Sequence, residues 1–418
     1  MNIFRKFSVV LGALVGLLTL AGCAPAADEP FDYDSLPFYQ ENIDAISYDY
    51  SNQHRVQPFW LGNVIYNEAV MVVEKDGIIE GELLYEPLKL LAVYDWKLET
   101  EYEQGKDYRI EGNRITLPEG SRIPVFNDRW AYGKDMPEGY EKIDGTDVTE
   151  NRYTLLNGVD QNGSPIQLTY TEGNLIFGNY IYVSYVYDPA EFDASSVNTF
   201  ENKLPLLTDQ LQRKEKIDMM ILGDSVSEGC SASATWGNPP YCPFYGELVR
   251  AELERVYGAE IELMNISVGG KTSSWGCELP QKMAIREKKP DFLIIGFGLN
   301  DFSNQVEAST FVDNIDEIVL TAKEANENCS IVLLHTFPAN PLYLDPAVIA
   351  EAGAEYHEYA EAKLDVAYVS MFELGMSFLE TKEYYEISAS NINHPNDFFH
   401  RCYAMNILCS IVDYNTIF

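Results

Sequence analysis

The stretch Ile217-Asp218-Met219-Met220-Ile221-Leu222-Gly223-Asp224-Ser225 runs a short apolar segment directly into a glycine, an acid and a serine. Ile217 to Leu222 is too short for an ordinary helix and nearly continuous in its apolar character, as expected of a strand buried on both faces. Four further runs follow it: Ile261 to Val268, Phe292 to Phe297, Ile331 to Thr336 and Val366 to Val369. The segments between them carry a helical period. One sets Phe311, Ile315, Ile318, Val319 and Ala322 on a single face, and another opens with Asp345 as a cap and Pro346 at the first helical position. Strands alternating with helices predict a parallel sheet covered on both faces, with its chemistry at the carboxyl ends of the strands.

Upstream the pattern changes. From about Pro30 to Tyr187 short strand-like runs are punctuated by turn pairs such as Asp76-Gly77, Glu111-Gly112-Asn113, Asn162-Gly163 and Glu172-Gly173-Asn174. This spacing predicts an all-β sandwich or jelly-roll domain over residues 31–187. Its aromatic residues, Trp60, Trp96, Trp130 and Tyr132 among them, suit a sugar-stacking surface, although core packing is their commoner use. Residues 188–215 read as a polar linker with a short helix around Leu204 to Arg213, leaving 216–418 for the α/β domain.

At the N-terminus Arg5 and Lys6 precede an apolar run that ends in Leu20-Ala21-Gly22-Cys23. The run is short for a membrane span, and its charged start and small-residue end read as a secretory signal over 1–22. Leu-Ala-Gly-Cys resembles the lipobox of bacterial lipoproteins, which implies lipidation of Cys23, a tether over 23–30 and an extracytoplasmic, membrane-anchored location. The remaining cysteines, Cys230, Cys242, Cys277, Cys329, Cys402 and Cys409, permit disulfides or reduced core thiols, and spacing does not decide between them. There is no C-x-x-C pair and only 5 His, so neither a metal nor any other cofactor is expected. Lys and Arg number 29 against 65 Asp and Glu, a formal charge of -36 that repels nucleic acid and anionic lipid alike.

Four blocks carry chemistry. Gly223-Asp224-Ser225 places a serine where a strand turns into a helix, with backbone N–H groups aimed at any charge that develops beside it. The others are Asn265-Ile266-Ser267-Val268-Gly269-Gly270, then Gly298-Leu299-Asn300-Asp301, then His394-Pro395-Asn396-Asp397. In this order, at these strand ends, they resemble the SGNH, or GDSL-type, hydrolase family. The resemblance implies a flavodoxin-like three-layer α/β/α domain. It also implies a nucleophile at Ser225, a base at His394 and an oxyanion hole from the N–H groups of Ser225 and Gly270 and the amide of Asn300. The Gly270 assignment is open to Gly269. No G-x-S-x-G elbow is present, which counts against the α/β-hydrolase alternative.

The resemblance departs at the third catalytic position. The family usually carries Asp three residues before the histidine, and here Asn391 stands there. Asn supplies no negative charge to an imidazolium, so Asn391 is at most an orienter of His394 and the sequence points to a Ser-His dyad. Asp397-Phe398-Phe399-His400 makes His400 a rival base, although His400 should lie inside the helix that follows. The domain order resembles the two-domain acetylesterases of carbohydrate esterase family 2. This implies a carboxylic ester hydrolase (EC 3.1.1.-) that removes acetyl groups from poly- or oligosaccharide, such as an acetylxylan esterase. The alternatives are a weak or inactive glycan-binding lipoprotein, suggested by the missing Asp, and an SGNH lipase or thioesterase.

Overall fold

The computed structural model describes residues 56–145, 147–198 and 200–414. Cys23 and the expected signal and tether lie outside them. Five strands form one parallel sheet in the order Ile261–Asn265, Ile217–Gly223, Phe292–Gly296, Ser330–His335, Val366–Ser370. The first strand in sequence lies second in the sheet, between the second and third, which is the flavodoxin-like order. Alternate residues along each strand feed opposite cores. Met219, Ile221, Ile294, Val332 and Val369 face one side, and Met220, Leu222, Leu293, Ile295 and Leu333 the other. Helices cover both: Tyr245–Tyr257 and Asp397–Cys409 on the first face, Leu279–Lys288, Ala308–Ala325 and Pro346–Glu361 on the second. Phe311, Ile315, Ile318, Val319 and Ala322 all point into the second core, and Asp345 caps Pro346–Glu361 by accepting from the N–H of Ala347 at 2.9 Å.

The described residues before 188 are β-rich, as expected, and among them a single α-helix, of four residues, occurs at Asn174–Phe177. Their strands make three small sheets, mostly antiparallel. The most buried joins Val64–Met71, Tyr180–Val186 and Lys89–Asp95, and every residue of its central strand Tyr180–Val186 is buried. Trp60 belongs to the core, stacked on Phe192, and Trp96, Trp130 and Tyr132 pack half-buried against it. The helix expected in the linker is present at Pro205–Gln212.

The two parts share one core, because the face of the parallel sheet covered by Asp397–Cys409 is continuous with the apolar interior of the β-rich part. Buried polar contacts stitch the seam. Tyr180 donates to the carbonyls of Tyr385 (2.7 Å) and Ser388 (3.1 Å), Arg401 Nη2 donates to those of Tyr66 and Asn67 (2.7 Å each), and Lys382 pairs with Glu68 at 2.6 Å. Breaking one side of a buried pair such as Lys382–Glu68 leaves an uncompensated charge and costs on the order of 3–5 kcal/mol. The six described cysteines are free thiols.

Candidate active site

The strand Ile217–Gly223 delivers Ser225 by a tight crossing. Gly223 lies so close to the neighbouring strand that a Cβ there would meet the carbonyl oxygen of Gly296 at 2.3 Å, so only glycine fits where the turn begins. Asp224 caps the short helix Ser225–Glu228 by accepting from Val226 N–H at 3.1 Å. Its burial raises the carboxyl to about 7. Ser227 is held by the hydroxyl of Tyr245 (2.7 Å) and bonds the carbonyl of Gly296 (3.3 Å), which fixes the turn against the sheet.

His394 meets this turn from the far end of the chain. Its Nε2 lies 2.8 Å from Ser225 Oγ, and both residues are buried. The His394 backbone is anchored by its N–H to Ser390 Oγ (3.0 Å) and by its carbonyl, which accepts from Ser388 Oγ (2.8 Å) and Ala389 N–H (3.0 Å). Asn396 then caps Asp397–Cys409 through the N–H of Phe399. Such a pair gives the serine hydroxyl an adjacent acceptor for its proton, which it needs to act as a nucleophile.

The other ring nitrogen of His394 corrects the expected dyad. Nδ1 lies 2.5 Å from Oε1 of Glu172, a residue of the β-rich part 222 positions away in sequence. The strand Pro165–Tyr170 ends there, and the turn is fixed by Glu172 N–H donating to the Val148 carbonyl (2.9 Å) and Thr171 Oγ1 donating to that of Arg152 (2.9 Å). Tyr170 donates to the same Oε1 at 2.8 Å. Burial alone would raise the Glu172 carboxyl. The charge of the His394 imidazole beside it, their hydrogen bond and the Tyr170 hydroxyl together hold it below its ordinary value. A carboxylate on Nδ1 fixes the imidazole tautomer with Nε2 facing the serine and stabilises the imidazolium.

Asn391 is therefore not the orienter of His394. Its amide donates instead to the carbonyls of Ala131 (3.0 Å) and Thr169 (3.1 Å), tying the histidine loop to the β-rich part. It also adopts φ 63°, a left-handed conformation that Asn tolerates better than most residues. His400 lies within the helix, with Nε2 3.0 Å from the Cys230 carbonyl, and burial lowers its pKa to about 4. Among the described residues no hydrogen bond joins it to Ser225.

The loop after Ile261–Asn265 packs on Ser225: a Cβ at Gly269 would lie 3.5 Å from the Ser225 Cβ. Glu228 Oε2 accepts from Gly269 N–H at 2.6 Å, which removes that donor from any other use. Gly270 follows at φ +73° with open space where a side chain would lie. Asn300 spends one amide hydrogen on the Lys271 carbonyl (3.0 Å), which fixes the side chain and leaves the second hydrogen directed by that bond. Asp301 beside it is buried and accepts from the N–H (3.0 Å) and hydroxyl (2.5 Å) of Ser273, locking the two loops together. As the first residue of its helix, Ser225 has no intrahelical acceptor for its N–H.

Of the residues expected from the sequence, Ser225 and His394 are brought into hydrogen-bond contact, and Glu172, which the sequence does not single out, joins them. Thr171-Glu172-Gly173-Asn174 reads as a turn, which it is, and no local pattern announces a carboxylate for the imidazole. Residues 221–402 match the family model described as GDSL-like Lipase/Acylhydrolase family. No curated protein matches the sequence. Among solved structures, a two-domain esterase active on acetylated mannans, co-crystallised with mannopentaose, is similar at 22% identity and TM-score 0.41 over 51% of this chain. That match takes in 54% of the esterase's own length, so the chain spans about half of it. An acetylxylan esterase from Geobacillus stearothermophilus is similar at 20% identity and TM-score 0.40, covering 47% of this chain and 95% of that one. A carbohydrate esterase family 3 protein from Talaromyces cellulolyticus is similar at 15% identity and TM-score 0.36, covering 46% and 96%.

Proposed function

We propose that residues 221–402, which match the GDSL-like lipase/acylhydrolase family model, form a domain of that family, and that the protein is a serine esterase that removes short acyl groups, acetyl first, from carbohydrate. The observation that carries the reading is the unbroken chain Glu172 Oε1, His394 Nδ1, His394 Nε2, Ser225 Oγ at 2.5 and 2.8 Å. In the proposed mechanism His394 takes the Ser225 proton as Oγ attacks the ester carbonyl carbon. The oxyanion that forms accepts from the N–H groups of Ser225 and Gly270 and from Asn300. His394 then gives its proton to the departing sugar oxygen, a water replaces the alcohol, and the same base activates it to release acetate.

The inactive-binder alternative was motivated by the lack of Asp before His394, and Glu172 removes that motive by presenting a carboxylate to the same imidazole. The carbohydrate assignment rests on the resemblance of the two-part organisation to carbohydrate acetylesterases. The divisions at 31–187, 188–215 and 216–418 belong to the proposal, as does lipidation at Cys23 with an extracytoplasmic location. Among the described residues no helix is long and apolar enough to cross a membrane. Loss of labelled fatty-acid incorporation in Cys23→Ser tests the anchor.

The deciding experiment is hydrolysis of p-nitrophenyl acetate, butyrate and octanoate by the chain from Ala24 onward, with Ser225→Ala as control. Activity that falls steeply with acyl length and vanishes in the variant is expected. Octanoate preferred over acetate would replace this reading with the lipase one.

A further inference from the structure

A cleft of about 700 Å³ opens between the helix Leu299–Ser303 and the helix Pro346–Glu361. Two of its walls belong to elements that adjoin residues of the candidate active site. Phe302 and Ser303 line it from the same short helix that bears Asn300, and Ser303 is roughly 4.5 Å further along the axis at 1.5 Å per residue. On the other side Tyr343 stands on a loop braced against the histidine loop. Asn340 donates from its N–H to the Ile392 carbonyl (2.8 Å) and from its amide to that of Asn391 (2.9 Å), and its own carbonyl accepts from Tyr343 N–H (2.7 Å). The β-rich part holds the same loop, with Val159 N–H donating to Leu342 (2.7 Å).

The lining has a definite chemistry. Tyr343 is 37% exposed and offers an aromatic face. Val348, Glu351 and Glu355, at i, i+3 and i+7, put one stripe of Pro346–Glu361 on the cleft, and Glu307 adds a third carboxylate. None of the three carboxylates has an ion-pair partner among the described residues, and no lysine or arginine lines the space. An aromatic face beside unpaired acceptors suits a ring with one apolar side and several hydroxyl donors, since hydrogen bonds to an ionised acceptor are about twice as strong as neutral ones. The same charges repel an anionic chain. The volume falls within the ~300–1,000 Å³ of pockets that take ligands of a few rings.

We propose that this cleft binds the sugar residues adjoining the acylated one in an uncharged glycan chain and that its carboxylates exclude chains bearing uronates. The inference rests on the reading of the protein as a glycan esterase. The test compares kcat/KM on acetylated xylose, acetylated xylopentaose and an acetylated galacturonate pentamer, using the full chain, Tyr343→Ala and the double variant E351Q/E355Q. The unsubstituted protein is expected to prefer xylopentaose to xylose by about tenfold or more, carried in KM, and to act poorly on the galacturonate. Tyr343→Ala should collapse the pentamer-to-monomer ratio toward one, and E351Q/E355Q should narrow the gap between neutral and uronate pentamers.

Equal pentamer-to-monomer ratios in the protein and Tyr343→Ala overturn the inference while leaving Ser225-dependent esterase activity intact. If no ester is turned over, the functional reading fails. Calorimetric titration of unacetylated xylopentaose into the full-length Ser225→Ala chain then decides the cleft by itself: heat that disappears on adding Tyr343→Ala supports it, and no heat overturns it.

Discussion

In the parallel-sheet part Ser225, Gly270 and Asn300 each lie past the carboxyl end of a strand of one parallel sheet, whereas in the β-rich part Glu172 follows the antiparallel strand Pro165–Tyr170, on a turn that faces the other part. The first three owe their place to topology, because any doubly covered parallel sheet offers such strand ends together. Glu172 owes its place to docking. It reaches His394 only because the turn at Thr171 and the loop at Asn391 are held against each other by side chains from both parts. The difference teaches that the β-rich part is a contributor to the proposed chemistry and not merely a wall beside it.

Four measurements break or sharpen that contrast. Ser225→Ala or His394→Ala should lower kcat/KM on p-nitrophenyl acetate by on the order of 10⁴-fold or more; a loss below tenfold in both would remove the parallel-sheet part from the chemistry altogether. Glu172→Gln keeps the shape and loses the charge, and should cost about 10³- to 10⁴-fold in kcat. Full activity in that variant would reduce the β-rich part to scaffolding.

Asn391→Ala separates docking from catalysis. It leaves the buried carbonyls of Ala131 and Thr169 without that partner, at about 1–3 kcal/mol of stability by denaturant unfolding. Activity per folded molecule should change less than about tenfold, since Asn391 makes no bond to the imidazole. A rate loss as large as that of Glu172→Gln, without unfolding, would return Asn391 to the role expected from its sequence position.

The smallest effect is in pH. Burial raises Asp224 and Glu386 to about 7 and Asp397 to about 6, all in the parallel-sheet part. The folded state then binds more protons than the unfolded one between about pH 4 and 7, so stability falls as pH rises through that window. In the β-rich part Asp107 is shifted the other way, chiefly by its hydrogen bond from Arg122 and against the cost of burial, and its contribution is lost as pH falls below about 4. A Tm a few degrees higher at pH 5 than at pH 8 is expected, and a flat profile across that range would refute the sign.

Much of the parallel-sheet part was legible because strand burial writes itself into composition. Ile217 to Leu222 became Ile217–Gly223, and Val366 to Val369 became Val366–Ser370. The run from Ile261 to Val268 overshot, since the strand stops at Asn265. There the Asn265 side chain accepts from Ser267 N–H (3.0 Å) and donates to the Ser227 carbonyl (2.8 Å), turning the chain out of the sheet. Ser225 and His394 were singled out through the resemblance of their blocks to the SGNH family, and the structure brings the two side chains together. Glu172 was not, because its partner is set by the seam between the two parts and nothing near it in the chain depends on that partner.

The turn that carries Glu172 has one further property. A Cβ at Gly173 would lie 1.7 Å from the Glu150 carbonyl oxygen, so no other residue fits there without moving the turn. Glu172 and Gly173 should therefore be inherited together. Descendants of this chain that keep the pair are free to vary position 391, and those that lose it must regain an acid close to the histidine. The signature to look for in relatives is a Glu-Gly pair more than two hundred residues ahead of the histidine, in place of an Asp three residues before it.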